Sequence, residues 1–89
     1  MGAIRLDNTG DPTHGDGFGW IFAKDDSGSS EVHVVDEAGN ITKISPHNTA
    51  GDWEYYSKNT ITGKTVRVNM EAMIKDIEQL TGKTYIETE

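Results

Sequence analysis

The sequence predicts an α+β, mainly β fold: an antiparallel β-meander and a further hairpin, followed by one C-terminal helix. Three stretches carry that prediction. "EVHVVDEAGNITKIS" (Glu31–Ser45) sets two short runs rich in β-branched residues on either side of Asp-Glu-Ala-Gly-Asn, where glycine suits a left-handed turn position. "WEYYSK" and "KTVRVN" repeat the arrangement around "NTITG". "NMEAMIKDIEQLTG" then changes from a period of two to the three-four spacing of an amphipathic helix.

Beyond Met1, residues 1–17, "MGAIRLDNTGDPTHGDG", hold only Ile4 and Leu6 as sizeable apolar residues among Gly, Asp, Asn and Thr, which reads as a flexible or extended arm. Residues 18–89 form a single β-rich domain. Its first strand, "GFGWIFAK", alternates Phe18, Trp20 and Phe22 with Gly19, Ile21 and Ala23, so both of its faces are expected to be covered. A polar turn, "KDDSGSS", leads to "EVHVV", in which Val32 and Val34 share a side opposite His33 and Val35. The return strand "ITKIS" completes a three-stranded meander, and Pro46 with "HNTAGD" is expected to end it. In the second hairpin Trp53 and Tyr55 share one face and Tyr56 takes the other. Asn69 is placed to cap a helix over about 70–81, Val68 and Met73 to staple its start, and Gly82 to stop it.

Composition limits what such a chain does alone. At 89 residues with 34% hydrophobic content, it forms at most one domain with a small core. It has no cysteine to staple that core or to supply thiolate ligands, and the redox compartment stays open. Self-association is the remaining source of apolar burial. Phe18, Trp20, Phe22, Val32, Val34, Ile41 and Ile44 are the expected sheet core. Met70, Met73, Ile77 and Leu80 follow an a/d spacing, with Ile74 widening the stripe. That stripe has two coverings open to it, the chain's own sheet or symmetry copies, and the small core favours the copies. The expected interface is therefore Phe18, Trp20, Phe22, Val32 and Val34 with Met70, Met73, Ile77 and Leu80.

A net charge of −7 and a pI of 4.7 oppose binding to nucleic acid or anionic lipid. No apolar run approaches the roughly 20 residues of a spanning helix, so a soluble chain is expected. His14, His33 and His47 lack metal-ligand spacing, and no metal, cofactor or catalytic set is expected. Asp25, Asp26, Asp36 and Glu37 read as turn residues. "DDSGSSE" lacks the twelve-residue frame of a calcium loop, and "TGKT" (Thr62–Thr65) lacks the glycine spacing of a phosphate loop. Trp53, Tyr55 and Tyr56 are the candidate ligand platform, since exposed rings stack on sugars or receptor surfaces.

"WIFAKDDSGSSEVHVVDEAGNITKIS" resembles a segment recurring in bacteriophage tail-fibre and other virion structural proteins, over about Gly19–Pro46. The stretch from Ser45 to Lys83 looks like the closing part of such proteins. The resemblance implies an intertwined homotrimer that trimerises and terminates a longer fibre, joined to an upstream fibre or virion segment, located in the virion and extracellular when mature. The alternative it implies is a receptor- or carbohydrate-binding tip. No catalytic residue is carried over, and without the long helical tail of self-cleaving fibre chaperones autoproteolysis is not expected.

Overall fold

A computed structural model describes residues 2–88. Five strands, β1 (Trp20–Asp26), β2 (Ser29–Val35), β3 (Asn40–Lys43), β4 (Glu54–Asn59) and β5 (Thr65–Asn69), form one antiparallel sheet in the order β1-β2-β3-β4-β5, and α1 (Met70–Thr81) follows directly. The expected meander and hairpin are thus parts of one sheet. β3 ends at Lys43, three residues before Pro46, and the chain returns through the following loop so that Ile41 pairs with Lys58 and Thr42 with Ser57.

Two turns show how the local chemistry sets the register. Between β1 and β2 the turn is only Ser27–Gly28, both at positive φ (54° and 90°), which matches the twist of the flanking strands. Asp25 and Asp26, expected in a longer turn, are strand residues paired with Ser30 and Ser29. Between β2 and β3, Asp36 accepts hydrogen bonds from the Ala38 and Asn40 amides, and Gly39 takes the left-handed position at φ 82°.

Of the arm, residues 8–13 lie along the outer edge of β1, and His14 and Gly17 bond Glu37 in the β2–β3 turn. Asn8 bridges Ala23 in parallel, with the Thr9 amide donating to the Ala23 carbonyl at 2.9 Å. Trp20 Nε1 donates to the Thr13 carbonyl and Lys24 pairs with Asp11. The arm so occupies part of an edge that would otherwise offer free backbone groups.

Phe22, Ala23, Val35 and Ile41 are the buried apolar residues. Val35 belongs to this core and was not expected there, whereas Phe18, Trp20 and Ile44 are about half exposed. Phe18 also precedes the strand, bridging Gly15 and meeting Trp20 edge to face at 5.9 Å. The strand alternation places Val32 and Val34 on the face opposite Phe22 and Ile41, so the expected single core is divided between two sides.

Asn69 caps α1, its side chain accepting from the Ala72 amide at 2.9 Å, and Gly82 ends it in the left-handed conformation (φ 71°). No residue of α1 is buried. Because the cap is also the last residue of β5, no linker exists to fold the helix back over the sheet. Its ties are at its start, where the Glu71 amide donates to the Trp53 carbonyl and Asn69 Nδ2 to Asp52.

Candidate functional site

The register divides the sheet into a charged face and a neutral one. Cross-strand partners share a side, so Lys24, Asp26, Glu31, Lys43, Glu54, Lys58 and Arg67 all fall on the face that holds Phe22, Val35 and Ile41. Of the strand residues on the other face, only Asp25 is charged, at the β1–β2 turn.

On the charged face a four-residue cluster closes. Lys43, its side chain fully buried, donates to Glu54 at 2.5 Å, to Asp26 at 2.9 Å and to the His47 carbonyl at 3.0 Å. Arg67 donates to the same Glu54 oxygen atom at 2.7 Å, reaches Asp26 at 3.5 Å and lies 4.2 Å over the Tyr56 ring. Two cations meet two carboxylates, so the site is neutral, with Lys43 and Glu54 buried and Arg67 at its exposed side. Burial raises the pKa of Glu54, but the hydrogen bonds from Lys43 and Arg67 outweigh it and hold the group below its ordinary value. The hydrogen bond from Lys43 does the same for Asp26. Nearby, Glu31 is bonded by the Ser29 and Ser45 hydroxyls, and the His33 ring stacks on Phe22 at 5.6 Å.

The Asp26–Arg67 contact has a geometric consequence. In a flat sheet β1 and β5 lie about 19 Å apart. For their side chains to meet, the sheet must curl with its charged face inward. Every buried side-chain nitrogen and oxygen among the described residues has a hydrogen-bond partner, while Asp26, Glu54 and Arg67 also line a surface pocket with Ser27, Asn48 and Thr49. Among the described residues no group of three His, Cys, Asp or Glu could hold a metal ion.

The outward, neutral face carries one row running across all five strands: Ile21, Val34, Thr42, Ser57 and Val66, each paired with the next. Tyr55 and Val68 form a neighbouring pair. Ile21 is 58% exposed and Tyr55 46%. At the centre Thr42 and Ser57 bond each other at 2.9 Å, and at the flank Asn59 donates to Asn40 at 2.8 Å.

The expected interface residues distribute as follows. Phe22 lies inside the protomer. Val32 and Val34 are half-buried on the neutral face; Phe18 and Trp20 are exposed beside the β2–β3 turn. In α1, Met73, Ile77 and Leu80 are exposed, Leu80 at 86%, while Met70 is half-buried. The three aromatic candidates do not form one platform: Tyr55 is on the neutral face with Trp53 exposed two residues before it, and Tyr56 is on the charged face beneath Arg67. Sequence reasoning missed Ile21 and Val66, which only the five-strand register brings into one row with Val34. It also missed the ion cluster, whose members come from four different strands. Compared with family models, curated proteins and solved structures, the chain matches none.

Proposed function

We propose that this chain is a structural assembly module, a homotrimerising and terminating unit of a viral, phage-type fibre protein, that sets the register of the segment joined to it. The observation that carries the reading is the protomer's openness. Its accessible surface is 6500 Å², against about 5,200 Å² for a compact chain of this mass. Its radius of gyration is 15.6 Å, against about 12 Å. A helix with no buried residue and a neutral sheet face on which Ile21 and Tyr55 are about half exposed are what a partner copy would complete. The likeness of Gly19–Pro46 to fibre segments supplies the viral setting. Copies share burial at roughly 25 cal/mol per Å², which offsets the ordering cost that one small core leaves uncovered.

Sedimentation equilibrium tests the reading directly. The expected mass is about three times the 9.8 kDa chain, and Ile77→Asp should shift it toward monomer. A folded wild-type monomer at micromolar concentration would overturn it. A second reading, a receptor- or carbohydrate-binding tip, is favoured by Trp53 and Tyr55, which are each about half exposed. It requires a trimer-neutral Trp53→Ala variant to lose glycan binding.

A further inference from the structure

We infer that the neutral sheet face, centred on the row Ile21–Val34–Thr42–Ser57–Val66, is the surface by which a second copy of this chain docks. The inference rests on the assembly reading above and names its contact surface. Three observations lead to it.

The first is charge. Two copies that each carry −7 repel, and contact through a face with unpaired charge would also require its desolvation. The register confines seven of the eight charged strand residues to the inward face, where the ion cluster neutralises four of them among themselves. The outward face is thus where like-charged copies can approach closely.

The second is polar satisfaction. The non-aliphatic groups at the row's centre and flank, Thr42 with Ser57 and Asn40 with Asn59, are already bonded to each other within the protomer. Covering this face therefore strands none of those pairs, a condition that a dry interface has to meet.

The third is area. The surface in excess of a compact chain is about 1,300 Å², and a stable interface takes about 800 Å² from each partner. The arm, α1 and the C-terminal tail share in that excess with the sheet face, and the total is on the scale of contact with a copy and not of a short peptide.

The test uses the absence of native cysteine, so that a single introduced thiol is the only one to react. Val66→Cys marks the row and Lys58→Cys the charged face; both positions are exposed in the protomer. Thiol labelling is followed with a small aromatic disulfide at a concentration where the mass shows a multimer. Val66→Cys is expected to label at least about tenfold more slowly than Lys58→Cys, and to reach the same rate on dilution to monomer. In parallel, Ile21→Lys with Val66→Lys should shift the mass to monomer at concentrations where the wild type is a multimer. A multimer in which both thiols label equally fast, or one that survives the double lysine change, overturns this surface while leaving self-assembly standing. A folded wild-type monomer overturns the assembly reading itself, and this surface with it.

Discussion

The Lys43 ammonium and the Glu54 carboxylate, on neighbouring strands, meet at 2.5 Å with the lysine side chain wholly buried. With four buried apolar residues among those described, this pair occupies the place where a larger domain would put aliphatic side chains. Removing one partner leaves the other's charge buried. Lys43→Ala should lower stability by about 3 kcal/mol, whereas Lys43→Met combined with Glu54→Leu should recover most of that loss, since Arg67 still pairs with Asp26. Urea titrations of the three proteins measure the difference. If the double change is as damaging as the single one, the cost lies in packing and not in the stranded charge.

The same cluster sets a pH window. Asp26 is held below its ordinary 3.8 by the hydrogen bond from Lys43, and Glu54 below 4.5 because its hydrogen bonds outweigh burial. Depressed carboxylate pKa values contribute stability that is complete above the unfolded values and is lost as pH falls through the folded ones. Lys43 moves the opposite way: burial would lower it, yet hydrogen bonds to Glu54 and Asp26 raise it above 10.5. Its contribution is complete below that value and disappears as pH climbs through the folded pKa. Thermal melts should give a Tm that is level between about pH 5 and 10 and falls on either side, with a shallower acid limb in Glu54→Gln. A Tm that rises on acidification below about pH 4 would rule out this account.

How far the sequence disclosed this fold depends on the range of each interaction. The Asn69 cap, the Gly82 stop and the turn at Gly39 are fixed within a few residues, and each was legible. Alternation within β2 correctly put Val32 and Val34 opposite Val35. The pairing of β3 with β4 was not legible, because the loop after Pro46 hides which residues meet across it. Without that pairing, Asp26 reads as a turn acid and Lys43 as a surface cation, and nothing local says that Arg67 of β5 will reach both Glu54 and Asp26. The neutral row was hidden for the same reason: Ile21 and Val66 lie at opposite edges of the sheet, and only the full register aligns them.

Gly39 offers a test of the turn. It is buried at φ 82°, and a Cβ there would stand 2.7 Å from Thr60 Oγ1 and 3.3 Å from the His14 ring, while its carbonyl accepts from the Thr60 amide at 2.9 Å. Gly39→Ala combines left-handed strain with a clash, and should cost about 1–2 kcal/mol or more. Gly51, also at positive φ (84°) but with open space around it, should cost less when changed to alanine. Thermal unfolding of both variants compares strain with and without crowding, and equal losses would mean that the neighbours of Gly39 move aside freely.

Asn69 joins sheet to helix, accepting from the Ala72 amide with Oδ1 and donating to Asp52 with Nδ2. Asn69→Ala removes both bonds and should destabilise α1 by about 1 kcal/mol, whereas Asn69→Asp keeps the cap, favoured by the helix dipole, but places a second carboxylate beside Asp52. Because α1 buries none of its residues in the protomer, its own capping is a large share of what holds it. Amide exchange at Ala72 and Met73 should therefore quicken in Asn69→Ala and change far less in Asn69→Asp, most visibly in dilute samples. Exchange in Asn69→Ala that stays slow at low concentration would show that α1 is held by contacts other than its cap.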